Sequence, residues 1–306
     1  MLSYSTFFST ICRIFVVIFL FSSLSPLAVL AWDDENIPDD PDITTLASQV
    51  GIPKTKVSPP PNVCYLSDIP TVPQSGIALY DALTLPQRQK AGLPLGLPQV
   101  APYYGQKVVY LTFDDGPDPD ITPLILDILT KENVKATFFV VGTQAEKYPA
   151  ILRRIFHAGH AIGNHSYNHV YRDLYHSTNS FTSQLQHTDE IIKGVIGVRP
   201  VICRAPGGTT GTFSKEYWNA LSSQGYKEVG WNIESGDASH TKADKLITNI
   251  TNQITKHSFL WSHSIVLMHD GRGHSETLKA LPDIITFFKT EGFEFRVVTL
   301  ETPPAW

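Results

Sequence analysis

Cysteine is scarce, at three residues in 306, too few for a disulfide-built scaffold or a four-cysteine zinc site, so any metal here rests mainly on histidine and carboxylate. Basic charge is not in excess. Lys and Arg number 24 against 29 Asp and Glu, a formal net charge of −5 that removes the electrostatic case for nucleic acid. Charged residues make up only 17% and apolar residues 42%, unlike a disordered chain, a coiled coil or a polytopic membrane protein. No internal repeat is present, and the length allows one large domain or two small ones.

Residues 1–31 lack Asp, Glu and Lys and carry a single Arg13, followed by the apolar run Ile14–Phe21 and the small-residue end Val29-Leu-Ala31. These are the parts of a secretory signal, with cleavage after Ala31, and they predict an exported protein, periplasmic or secreted. Left uncleaved, the 18 residues from Ile14 to Ala31 come close to the roughly 20 that span a bilayer and would anchor the chain, although Ser22, Ser23, Ser25 and Pro26 interrupt them.

Residues 32–105 form the next segment. Six acidic residues from Asp33 to Asp42 precede the first Lys at position 54, and 12 of the 22 prolines fall here, including Pro59-Pro60-Pro61. Proline lacks an amide donor and resists helix and central strand, so the segment reads as an extended arm, either a spacer or a wall of the site, with only Ile77–Gln89 suited to a short helix.

From Lys107 onward, strand-like and helix-like stretches alternate. Strands are expected at 108–113, 136–141, 161–163, 201–203, 227–233, 265–268 and 295–299, with helices at 122–132, 148–158, 181–195, 214–224, 243–257 and 275–290. Such alternation implies a parallel sheet or barrel covered by helices, with active groups gathered where strands end.

Four strand ends carry chemistry. The first runs into Thr112-Phe-Asp-Asp-Gly-Pro117, two adjacent carboxylates before a turn; on an extended segment they would face opposite ways and could divide labour between a cation and a substrate. Alone, the tetrapeptide is explained as well by turn chemistry or a helix cap. The third leads to His165 and His169, whose spacing lets two imidazoles share a metal at about 2.0–2.1 Å, and Asp115 would complete a three-ligand set with an open position. The fourth ends at Cys203-Arg-Ala-Pro-Gly-Gly208, where Arg204 could orient a carboxylate and Gly207 permits close backbone approach. The sixth ends at Leu267-Met-His-Asp-Gly271, where His269 is a proton-donor candidate. Each has a bland reading, as a surface ion pair, a turn or a core histidine.

Taken in order, Thr112–Pro117, His165-Ser-Tyr-Asn-His169, Arg204-Ala-Pro-Gly207 and Leu267-Met-His269 resemble the successive motifs of the NodB-homology polysaccharide deacetylases, carbohydrate esterase family 4, over roughly residues 106–300. The resemblance implies an irregular (β/α) barrel of about seven strands in residues 106–306. It also implies a divalent metal, most often Zn2+ with Co2+ or another ion as alternatives, and removal of N-acetyl groups from an N-acetylated polysaccharide; the protein is expected to be a monomer and to meet a membrane only if its signal stays uncleaved. Carried over by position, Asp115, His165 and His169 are the metal ligands, Asp114 the general base, His269 the general acid, Arg204 the group orienting Asp114, and Asp237 in Trp231–Ala238 the carboxylate that tunes His269. Gly207 and Leu267 fall at the substrate. Ala238 and Gly207 stand where many relatives carry aromatic rings, which removes bulk from the groove wall. The other eight histidines, at positions 157, 160, 176, 187, 240, 257, 263 and 274, have no matching partner set.

Two rival functions share parts of this pattern. A non-haem iron oxygenase also uses two histidines and one carboxylate, but its usual His-x-carboxylate order in an all-β setting differs from a carboxylate 50 residues ahead of His-x-x-x-His. An inactive glycan-binding protein would have no use for the proton-handling set Asp114, Arg204, Asp237 and His269. Cys64 and Cys203, the cysteines beyond the signal, could pair on export and close a 140-residue loop, a constraint of about 4–5 kcal/mol, or remain separate buried thiols.

Overall fold

The structure is a computed structural model that describes residues 63–66, 76–239 and 241–305. The signal segment, the first part of the proline-rich arm and His240 lie outside the described residues. Val63–Tyr65 (β1) pairs in parallel with Ala78–Asp81 (β2), which is followed by the short helix Leu85–Lys90 (α1). The helix expected over Ile77–Gln89 is therefore confined to its second half. All four residues of β2 are buried, and Tyr80 inserts its hydroxyl between the Ile162 amide, which donates to it at 2.9 Å, and the His160 carbonyl, to which it donates at 3.4 Å. A segment so enclosed takes the conformation its partners offer rather than the one its own sequence prefers.

The barrel follows. Val108–Asp114 (β3) leads to Thr122–Lys131 (α2), Thr137–Val140 (β4), Gly142–Lys147 (α3), Pro149–His157 (α4), Ala161–Asn164 (β5), Tyr171–Leu174 (α5) and Thr178–Ile196 (α6). Arg199–Pro200 (β6) returns to pair antiparallel with β2, making a small three-stranded sheet. Ile202–Cys203 (β7), Lys215–Ser223 (α7), Lys227–Glu228 (β8), Ile233–Glu234 (β9), Ala243–Lys256 (α8), Ser264–His269 (β10), Ser275–Thr290 (α9) and Glu294–Phe295 (β11) complete the chain. The main sheet runs β8-β7-β5-β4-β3-β10-β9 with β11 on the start of β3, and its pairings are parallel. This is the expected α/β architecture, an irregular seven-strand barrel path with helices outside.

One expected strand breaks in two. Residues 227–233 cross the open side of the barrel, so that β8 and β9, the two ends of that segment, sit on opposite edges of the sheet. Between them, the Val229 and Gly230 carbonyls accept from the Arg204 guanidinium at 2.9 Å each, where a closed ladder would have used backbone amides.

Alternation along β3 separates two cores. Val109, Leu111 and Phe113 pack toward the helices with Ile125, Leu129, Ile250 and Ile284, whereas Val108 and Tyr110 face the barrel interior with Phe139, Val201, Ile265 and Val298. Thr112 and Asp114 continue that inward face, as Leu267 and His269 continue it on β10. Helix α6 shows why the outer layer is well delimited: Ser177 caps it by accepting from the Ser180 amide at 3.0 Å, and Gly197 ends it at φ 86°.

The cysteines do not pair. Cys203 is buried among Leu174, Phe181 and Leu221, while Cys64 packs against the barrel-interior cluster, and both are free thiols.

His160 carries a stability prediction. It is buried, its Nδ1 accepts from the Ala136 amide at 3.1 Å and its Nε2 has no partner, and burial drives its pKa down to about 3. Because the folded imidazole resists a proton that the unfolded one binds below about pH 6.5, stability is full above that pH and falls as pH drops toward 3. Moving from pH 7 to pH 5 is expected to cost wild type about 2 kcal/mol more than the His160→Gln variant, read from urea unfolding at both pH values.

Candidate active site

Asp114 is the last residue of β3, and Asp115 leaves the strand at φ 76°, a left-handed conformation. That twist changes the expected division of the carboxylate pair. Both face the same imidazole, with His165 Nε2 at 3.7 Å from Asp114 Oδ2 and 3.5 Å from Asp115 Oδ1. His165 follows β5 directly, and Ser166 at φ 74° and His169 at φ 56° bend the loop until His169 Nε2 stands 3.3 Å from Asp115 Oδ1. Three strained non-glycine residues at one site are the kind of backbone that surrounding structure must hold in place.

The donor set fits a divalent cation. One ligand atom each from Asp115, His165 and His169 lies within 4.8 Å of the others, and Asp115 Oδ1 is buried without a hydrogen-bond partner. His165 Nδ1 is 2.9 Å from the Arg204 carbonyl, an interaction that places the ring proton there and turns the Nε2 lone pair toward the cluster. Burial also pushes the His165 pKa below its usual range, favouring the neutral form that binds metal. Burial opposes ionisation of Asp115, but His169, His269 and His165 around it bring its pKa down to about 2.

Asp114 has a different environment. Its Oδ1 accepts from Arg204 Nη1 at 2.9 Å, and the same nitrogen donates to Thr112 Oγ1 at 2.7 Å. Arg204 is fully buried, with its guanidinium 4.2 Å from the Phe139 ring centroid. Held on one oxygen, Asp114 keeps the other facing the cluster.

On the far side, His269 ends β10 and its Nδ1 is 2.9 Å from Asp237 Oδ1. Asp237 Oδ1 also accepts from Ser235 Oγ at 2.9 Å, and its Oδ2 accepts from the His269 amide and Thr277 Oγ1 at 2.7 Å each. Burial would lower the His269 pKa, but the Asp237 charge and hydrogen bond raise it to about 10, so the ring is charged at neutral pH. Although burial opposes its ionisation, the His269 charge beside Asp237 holds that carboxyl well below its usual range. Asp237, His269 and His274 also group closely enough to suggest a metal, yet both oxygens of this carboxylate are already spent on donors, unlike the orphaned oxygen of Asp115.

Leu267, two residues before His269, shares its face of β10 and is half-buried; Gly207 lies exposed on the turn after β7 at φ 70°. Three residues at the site went unrecognised in the sequence. His274 stacks on His269 with ring centroids 4.9 Å apart and lies 3.8 Å from Asp237 Oδ2. Asp270 accepts from the Gly116 amide at 3.2 Å and from Thr122 Oγ1 at 2.6 Å, bracing the turn after Asp115. Tyr171 stands against Gly207 and His169. Asp270 was detectable as the neighbour of His269; the other two carry no local signal.

Comparison with known proteins agrees with this geometry. A model of the polysaccharide deacetylase family matches residues 102–229. A peptidoglycan-N-acetylglucosamine deacetylase of Bacillus cereus is 37% identical over 194 residues, covering 63% of this chain and 67% of that protein. A chitooligosaccharide deacetylase of Bradyrhizobium is 30% identical over 209 residues, covering 62% of this chain and 88% of that one. The solved structure of a Streptococcus mutans CE4 esterase superposes with a TM-score of 0.60 at 35% identity, over 64% of this chain and 87% of the other.

Fold and site together define a hydrolase built on an open parallel barrel, which sets aside the oxygenase alternative. Within that class, the chain belongs to the polysaccharide deacetylase family, the NodB-homology domains of carbohydrate esterase family 4.

Proposed function

We propose that the protein removes N-acetyl groups from an amino-sugar polymer of the cell envelope, with peptidoglycan ahead of chitin-type oligomers, and releases acetate. The observation that carries this reading is the arrangement of three groups around one space: the Asp115–His165–His169 cluster with its orphaned oxygen, Asp114 held by Arg204, and His269 held by Asp237. The names of the relatives in Bacillus cereus and Bradyrhizobium support the substrate class.

Asp115, His165 and His169 would hold one divalent metal, Zn2+ by the chemistry of the donors, with Co2+ or another ion as alternatives. When bound, such an ion supplies Lewis acidity toward the acetamide carbonyl and its attacking water. Asp114 takes the proton of that water on the oxygen Arg204 leaves open. Attack on the carbonyl carbon gives a tetrahedral oxyanion. The turn at Gly207 is closed by the Gly208 amide donating to the Ala205 carbonyl at 2.9 Å, and a backbone amide near Gly207 would stabilise that charge. His269, charged at neutral pH, delivers its proton to the sugar nitrogen as the C–N bond breaks, leaving acetate and a free amine.

Export, with residues 1–31 as signal and 32–105 as the arm of the 106–306 domain, suits such a substrate. Among the described residues, no helix is long and apolar enough to cross a membrane.

Mass spectrometry of peptidoglycan and chitin oligomers after incubation is expected to show successive losses of single acetyl groups. Chelation that strips the protein of metal, verified by elemental analysis, is expected to stop acetate release, and Zn2+ or Co2+ to restore it. Undiminished release from metal-free protein would defeat the reading.

A further inference from the structure

Gly207 leaves room for a side chain that another residue occupies. A Cβ at position 207 would come within 2.9 Å of both Cε1 and Oη of Tyr171, so the phenol ring fills the volume next to the exposed turn. A Cβ on the next residue, Gly208, would come within 3.0 Å of Cη2 of Trp231. The glycine turn thus runs between two aromatic rings, and the bulk that Gly207 was expected to remove from the groove wall is returned from another element.

Tyr171 is held in that position from two sides. It opens α5 two residues after His169, and the two rings meet edge to face with centroids 5.5 Å apart. One turn later, the Tyr175 hydroxyl donates to the Pro206 carbonyl at 2.6 Å, which ties α5 to the turn carrying Gly207. The Tyr171 side chain is half-buried. A ring with an apolar face and one polar tip suits a pyranose, whose C–H face packs on the ring while its hydroxyls and amide seek a donor.

We propose that Tyr171 positions the substrate, packing on the amino-sugar ring that carries the reacting acetamide and donating its hydroxyl hydrogen to that sugar. This assignment rests on the deacetylase reading above, and its test keeps the two separable. Binding of tetra-N-acetylchitotetraose is measured by calorimetry in the Asp114→Asn background, where turnover does not interfere. Adding Tyr171→Ala is expected to raise Kd at least about tenfold, and adding Tyr171→Phe about threefold, since the ring stays and only the hydroxyl is lost. In the otherwise wild-type protein, Tyr171→Ala is expected to lower kcat/KM for the oligosaccharide at least about tenfold more than for 4-nitrophenyl acetate, which has no sugar ring.

A Kd unchanged by Tyr171→Ala, or equal losses on both substrates, would overturn the proposal and leave Tyr171 as packing for the turn. If Tyr171→Ala does not fold, Tyr171→Leu makes the same comparison with the bulk retained. Failure of the deacetylase reading looks different: wild type would release no acetate from any N-acetylated sugar, whatever residue stands at 171.

Discussion

Replacing Asp114 with Asn is expected to slow acetate release by about 10²- to 10⁴-fold while the metal content of the purified protein stays near that of wild type. The substitution keeps shape and one oxygen for Arg204, whose Nη1 lies 2.9 Å from Oδ1, but puts an amide where the proposed mechanism sends the proton of the attacking water. Asp115 is the contrasting control. Its orphaned Oδ1 lies 3.3 Å from His169 Nε2 and 3.5 Å from His165 Nε2, so Asp115→Ala is expected to remove activity and metal together. The pair therefore separates two adjacent carboxylates by one measurement, metal per chain, alongside rate. Equal acetate release by Asp114→Asn and wild type would remove Asp114 from the chemistry, and loss of metal from Asp114→Asn would make it a ligand instead.

What the sequence revealed follows physical range. Strand β3 was legible because Val108-Val-Tyr-Leu-Thr-Phe113 is apolar but for Thr112, as a strand buried on both faces is expected to be, and its tip fixes where Asp114 and Asp115 stand. Helix α9 was legible to its ends, Ser275 and Thr290, because a periodic apolar face and a following glycine are local signals. The convergence of Asp115, His165 and His169 was also foreseen, through the order of motifs rather than through any property of the three residues alone. The failures are non-local. Ala78–Asp81 is a strand because β1 and β6 flank it, the latter more than a hundred residues away in sequence. Residues 227–233 look like one strand, yet each end pairs with a different edge of the sheet, and nothing within seven residues reports that the barrel is open there. His274 and Tyr171 reach the site only by packing on His269 and Gly207, a relation that spacing along the chain does not encode.

Arg204 joins fold and chemistry in a single side chain, and its removal is expected to produce the largest loss of stability. Its Nε and Nη2 donate to the Val229 and Gly230 carbonyls across the open side of the barrel, and its Nη1 donates to Thr112 and Asp114 inside it. Arg204→Met keeps the stem against Phe139 but leaves Asp114 as a buried carboxylate without its guanidinium partner and two carbonyls with no donor. A broken buried pair costs about 3–5 kcal/mol, a large share of the roughly 5–15 kcal/mol that holds a typical domain together. Arg204→Lys keeps the charge, yet a single ammonium cannot span the two seam carbonyls and the carboxylate, so an intermediate loss is expected. The double variant Asp114→Asn with Arg204→Met apportions the effect. If the stranded carboxylate dominates, the double variant recovers most of the stability lost by Arg204→Met; if the seam carbonyls dominate, urea unfolding shows the two proteins equally weakened. Recovery is the expected result, because a buried unpaired charge costs more than a neutral carbonyl left without a donor.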